Sequence, residues 1–349
     1  MGHIRAAVAA ASIAAFVAVA AACGPPPTGG AGTGATTSVE PSATDPAITA
    51  DLINQNFASI PSGVAAGKLA VVLPGTSAST LGYSEMTRAL RNRGYHVIVL
   101  RYASAVATYS ACPDGAAATA PDCFRSFRSE VTFGSGVADP SGHAFDNPVA
   151  NVSRSNSVVN RLTKLVDRLV AIAPGNGWGQ FQHRGPSGAC LQVDATYGGC
   201  SIDWTKVAAV GHSQGAGVAL YLAKFFPLDR VVMLSGSFDA YDLGGGNYTV
   251  APWITEAPLA VPVSRIGVML HTSDPSVGRI RAVADGVGVV GPETDVGSSS
   301  SPFGGSRWLA TSQTPTCALD SAPSHNSTAV DGCVPDGAYD DAWTYLVAG

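Results

Sequence analysis

Gly211-His212-Ser213-Gln214-Gly215 is the stretch that most narrows what this chain can become. It follows Val207-Ala208-Ala209-Val210, a short apolar run that reads as a buried strand, and precedes Ala216 to Phe226, which reads as a helix. A backbone that passes from strand to helix so abruptly leaves its central residue in a strained conformation. Side chains two residues to either side of the serine would collide with the neighbouring strand and helix, so Gly211 and Gly215 leave room. Gly217 continues the small-residue side of the helix. The serine hydroxyl then stands above the strand ends, beside a helix N-terminus whose dipole favours negative charge.

Leu69 to Leu73 is another apolar run, closed by Pro74-Gly75. Tyr83 to Arg93 reads as an amphipathic helix stopped by Gly94, and His96 to Leu100 as the next strand. From Asn156 onward Val158, Val159, Leu162, Leu165, Val166 and Leu169 recur at spacings of three and four, a helix that ends before Pro174-Gly175. Val231 to Leu234, Ile266 to Leu270 and Arg307 to Thr311 read as further strands. Alternating strands and helices predict an α/β fold, a mostly parallel sheet with helices on both faces. Asp51 to Gly67 carries no clear pattern. Tyr102 to Asn156 and Pro174 to Asp203 read as irregular excursions, the natural lid or pocket wall in such a fold. Phe124, Phe127, Trp178, Phe181 and Trp204 fit either a pocket lining or a local core.

With this elbow, this element order and the early turn Leu73-Pro74-Gly75-Thr76, the chain resembles the α/β-hydrolase superfamily. More narrowly, it is similar to secreted bacterial esterase-like and lipase-like hydrolases whose elbow reads His-Ser-Gln-Gly. The likeness spans roughly Leu69 to Leu346 by element order, and the elbow and first turn are its specific motifs. It implies one α/β-hydrolase domain over 46–349, with a serine nucleophile, an acid and a histidine base in that chain order. Ser213 is then the nucleophile. His325 is the expected base, in a Ser/Asn/Pro loop after the last strand and bracketed by Cys317 and Cys333; His271 ends a strand. Asp274, after the Ile266 to Leu270 strand, is the expected acid, with Asp239 as the alternative. The amides of Gln214 and of Thr76 are the expected oxyanion donors, Ser77 being the other choice within the turn.

The N-terminus carries an export signal. Met1 to Arg5 is positively charged, Ala6 to Ala22 is small and apolar, and Ala20-Ala21-Ala22 forms a small-residue cleavage site, so 1–22 reads as a signal peptide. Cys23 follows at the expected cut. The arrangement resembles a bacterial lipoprotein signal with Cys23 acylated, Ala20 standing where those signals usually carry Leu; ordinary secretion is the alternative. Residues 23–45, rich in Gly, Pro, Thr, Ser and Ala, read as a flexible tether. Setting Cys23 aside leaves six of the seven cysteines, in three sequence-local couples: Cys112 and Cys123, Cys190 and Cys200, Cys317 and Cys333. An oxidising compartment would permit three disulfides. Zinc fits poorly, since the chain has no Cys-x-x-Cys pair.

The formal net charge is -5, from 25 acidic and 20 basic residues, so no basic stripe for nucleic acid is expected. There is no Walker-type phosphate loop, Gly244-Gly245-Gly246 lacks the strand and helix of a dinucleotide site, and no His-Glu-x-x-His occurs. Neither cofactor nor metal is therefore expected. The reading is an exported monomer, held at the membrane by its N-terminal lipid. It would hydrolyse a small-molecule or polymer ester on Ser213, Asp274 and His325. Amidases, lipases, polyester depolymerases and acyltransferases share this machinery. The competing reading is a surface lipoprotein of the same fold without catalysis, used for binding or envelope structure.

Overall fold

The computed structural model describes residues 34–256 and 258–349; the signal peptide 1–22 and Cys23 lie outside the described residues. Eleven strands are formed among them: β1 (Thr36–Val39), β2 (Asn56–Ser59), β3 (Leu69–Leu73), β4 (His96–Val99), β5 (Val207–His212), β6 (Arg230–Leu234), β7 (Ala240–Asp242), β8 (Tyr248–Val250), β9 (Ile266–His271), β10 (Thr294–Asp295) and β11 (Trp308–Thr311). Nine make one sheet in the order β1-β2-β4-β3-β5-β6-β9-β11-β10, while β7 and β8 pair as a separate hairpin. From β4 to β10 the neighbours are parallel; β1 and β2 add an antiparallel edge.

Both faces are covered, which is why the central strands are continuous apolar runs rather than alternating ones. Leu69, Val71 and Leu73 of β3 enter one core with Ala209 and Met233, under the helices Cys123–Phe133, Val158–Ile172, Gln214–Phe225 and Val277–Val287. Ala70 and Val72 enter the other with Val210 and Leu234, under Ser84–Asn92 and Asp340–Ala348. The α/β class expected from the sequence is the class observed. No helix among the described residues is long and apolar enough to cross a membrane. All three local cysteine couples form disulfides, with Cα separations of 5.7, 5.5 and 4.4 Å in chain order. Disulfides with no spanning helix are compatible with an exported protein.

Several expectations need correction. The described part of the tether is ordered: Thr36–Val39 pairs with β2, and Pro41–Thr44 forms a helical turn. Strand pairing is carried by backbone hydrogen bonds, so a polar segment can join a sheet edge once a partner strand is in place. The patternless stretch 51–67 holds that partner, β2. The first excursion contains an 11-residue helix, Cys123–Phe133, whose burial of Arg128 and Glu130 alongside Phe124 and Phe127 hid it from an apolar count. The second lies away from the strand ends that carry Ser213. Its Trp178 and Phe181 rings sit 4.9 Å from His96, the first residue of β4, so it covers the strand starts and is no lid.

Candidate active site

Ser213 stands at the carboxyl end of β5, in the middle of the sheet, with φ 56° and ψ −119°. Its amide donates to the Leu234 carbonyl of β6 at 2.8 Å, which pins the turn. The glycines act by close approach. A Cβ on Gly211 would overlap the Gly215 carbonyl, and one on Gly215 would overlap the carbonyl of Leu73 in β3. Helix and strands therefore meet at a separation that no side chain permits.

The structure brings Ser213, His325 and Asp274 together. His325 Nε2 lies 2.9 Å from Ser213 Oγ, and His325 Nδ1 lies 2.7 Å from Asp274 Oδ2. Asp274 lies in the turn just after β9 and is buried, and its second oxygen accepts from the Ser276 amide at 2.8 Å. His325 sits in the turn Pro323–Asn326, inside the loop closed by Cys317–Cys333. Thr328 anchors that loop to the core: its hydroxyl bonds Ser235 Oγ at 2.8 Å and its carbonyl accepts from Trp343 Nε1 at 2.9 Å. Phe238 flanks the imidazole at 5.5 Å between ring centroids.

The competing candidates are engaged elsewhere. His271 pairs through Nε2 with the Gln313 carbonyl and accepts from the Ser273 amide at Nδ1, so both ring nitrogens brace the strand end. Asp239 faces Arg128 in an ion pair with no exposed side-chain surface on either partner, and also accepts from Ser237 Oγ and Trp253 Nε1. Arg128 Nη1 in turn holds the Gln214 carbonyl at 3.0 Å, beneath the elbow.

Within the turn after β3, Pro74 has no N–H, the Gly75 amide donates to Tyr83 Oη at 3.0 Å, and the Ser77 amide donates to the Ser104 carbonyl at 3.0 Å. Among the described residues the amides of Thr76 and Gln214 have no acceptor. The two residues are tied by Thr76 Oγ1, which donates to Gln214 Oε1 at 2.7 Å. Such a pair of free amides beside a serine hydroxyl can receive an oxyanion.

Ser213, His325 and these two residues open on a cavity of about 910 Å³. Its further walls include Tyr109 and Asp114 from the first excursion, Phe238, and Arg279 from the helix Val277–Val287. Arg279 Nη2 bonds both Asp114 oxygens, at 2.9 and 3.0 Å, and so ties the excursion to the body. None of Phe124, Phe127, Trp178, Phe181 or Trp204 lines it; the first four are buried core, and Trp204 stacks on Phe226 at 4.2 Å. Burial without polar partners made them core. The cavity walls instead mix polar side chains such as Asp114 and Arg279 with apolar ones such as Phe238 and Val330, drawn from separate elements. His212 is wholly buried next to the site, and burial pushes its pKa down to about 3, with the nearby His325 adding to the effect. Cys317, Asp320 and Cys333 lie close together, but both sulfurs are spent in the disulfide.

No family model matches this chain, and no curated protein does either. Among solved structures it is similar to TT1662 from Thermus thermophilus. That likeness has a TM-score of 0.35 and 12% identity, and covers 80% of this chain and 87% of the other.

Proposed function

We propose that this protein is a serine hydrolase that cleaves carboxylic esters through an acyl-enzyme. The unbroken line from Ser213 Oγ through both nitrogens of His325 to Asp274, opening on the cavity, carries the reading. His325 Nδ1–H donates to Asp274, leaving Nε2 to take the Ser213 proton as Oγ attacks the ester carbonyl. The tetrahedral oxyanion is received by the amides of Thr76 and Gln214, each contributing roughly 10²- to 10³-fold. The imidazolium, steadied by Asp274, then gives its proton to the departing alkoxide. Water repeats the sequence on the acyl-Ser213 ester and releases the acid. The acid part of the reading is supported by the buried Arg128, which occupies Asp239. Export with acylation of Cys23 is part of the same proposal, supported by three paired cysteine couples.

The test is incubation of the oxidised full chain with a fluorophosphonate probe and a p-nitrophenyl ester series, with Ser213→Ala as control. Labelling and turnover in the wild type, absent in the variant, are expected. A folded wild type that neither labels nor turns over would overturn the hydrolase reading in favour of the binding-protein one.

A further inference from the structure

His212 is buried, polar and unused by the mechanism above, yet it lies between the turn after β3 and the loop that carries His325. Its Nδ1 lies 3.0 Å from Tyr83 Oη, and that phenol oxygen already accepts the Gly75 amide at 3.0 Å. The direction is set at the other ring nitrogen, which faces a backbone carbonyl that can only accept: the ring proton sits on Nε2, and Nδ1 accepts the Tyr83 hydroxyl. Nε2 lies 3.3 Å from the backbone carbonyl of His325. The result is one directed chain: Gly75 N–H to Tyr83 Oη, Tyr83 O–H to His212 Nδ1, His212 Nε2–H to His325 C=O. It joins the turn that offers the Thr76 amide to the loop that offers the imidazole. The packing agrees, since a Cβ on Gly75 would meet His212 Nδ1 at 3.1 Å and Ser213 Cβ at 3.2 Å.

We propose that Tyr83 and His212 are positioning residues that set the spacing between the oxyanion turn and the His325 loop; this rests on the hydrolase reading above. The rings of His212 and His325 lie 5.3 Å apart between centroids. A neutral His212 adds no charge beside the imidazolium that His325 becomes, whereas a cation there would oppose it. Burial holds the ring neutral and holds the Tyr83 phenol protonated, so the chain keeps its direction through the reaction.

The experiment uses the full chain and two readouts. In His212→Asn the amide oxygen can still accept from Tyr83, but nothing reaches the His325 carbonyl. His212→Gln carries an N–H near the place of Nε2. His212→Asn is expected to lower kcat about 10- to 100-fold, the scale of a misplacement near 1 Å, with KM within about twofold. His212→Gln is expected to restore most of the loss. Tyr83→Phe, which keeps the ring and breaks the chain at its other end, is expected to lower kcat about tenfold and carries the test if His212→Asn does not fold. Both substitutions leaving kcat within about threefold would overturn the proposal, as would a Gln variant no better than Asn. The second readout is the His212 tautomer, from long-range ¹H–¹⁵N spectra at pH 7 assigned by its loss in His212→Gln. The Nε2–H form is expected, and the Nδ1–H form would overturn the chain. That spectrum needs no turnover, so an inactive wild type sinks the hydrolase reading while the tautomer still judges the network.

Discussion

Arg128→Met leaves Asp239 buried without its cation. Neither side chain has exposed surface, and the carboxylate accepts from Arg128 Nε at 3.0 and 3.1 Å and from Nη2. After the substitution, Ser237 Oγ at 2.8 Å and Trp253 Nε1 at 3.1 Å remain, two neutral donors for a full charge. Breaking a buried pair by removing one partner costs about 3–5 kcal/mol. Losing the Nη1 bond to the Gln214 carbonyl adds about 1 kcal/mol. The total, about 4–6 kcal/mol, corresponds to a Tm lowered by roughly 5–9 °C for a chain of this size. Urea unfolding followed by tryptophan fluorescence measures it, with Trp253 a reporter at the pair itself. Arg128→Met/Asp239→Asn is expected to recover at least half the loss, because no unpaired charge stays buried. A single variant that loses under about 1.5 kcal/mol, or a double variant no more stable than it, would refute the reasoning. Two further single variants separate the two acids: Asp239→Asn is expected to keep kcat within about threefold, and Asp274→Asn to lower it on the order of 10⁴-fold.

The low pKa of His212 has a consequence for acid stability. The unfolded residue binds a proton below about 6.5, but the folded one does so only near about 3, so between these values the unfolded state holds more protons. Stability therefore falls as pH falls through that window, by at most about 1.4 kcal/mol per pH unit from this group, with buried His96 pulling in the same direction. Tyr83 and His325 are the titratable groups that meet the ring. In His212→Gln the slope over pH 4–6 should flatten, and an unchanged slope in urea titrations would remove His212 as its source. Replacing Cys317 and Cys333 by serine opens a loop with a sequence separation of 16 and should cost about 3 kcal/mol. Because His325 rides on that loop, kcat should fall as well; unchanged kcat with lowered stability would show that the loop's non-covalent contacts, those of Thr328 and His212 among them, suffice to hold the imidazole.

The elbow was legible because its cause is local: a strand, a turn and a helix within twenty residues, with steric limits that demand glycine at 211 and 215. The α/β class was legible for the same reason, since the apolar runs and the spacings of three and four lie within single elements. Residue type and chain order also singled out Ser213, Asp274 and His325, but their approach to 2.9 and 2.7 Å spans 112 and 51 positions and depends on the order of strands in the sheet. What the sequence hid was held by distant partners. Thr36–Val39 looked like linker because its strand is made by the backbone of β2, and Arg128 looked like surface because Asp239, 111 residues away, is what permits its burial. His212 was visible only as a position of the elbow and Tyr83 only as the start of a helix; that they pair was not legible. Local periodicity and sterics are written in neighbouring residues, whereas a buried polar group is explained by whichever group the fold sets against it.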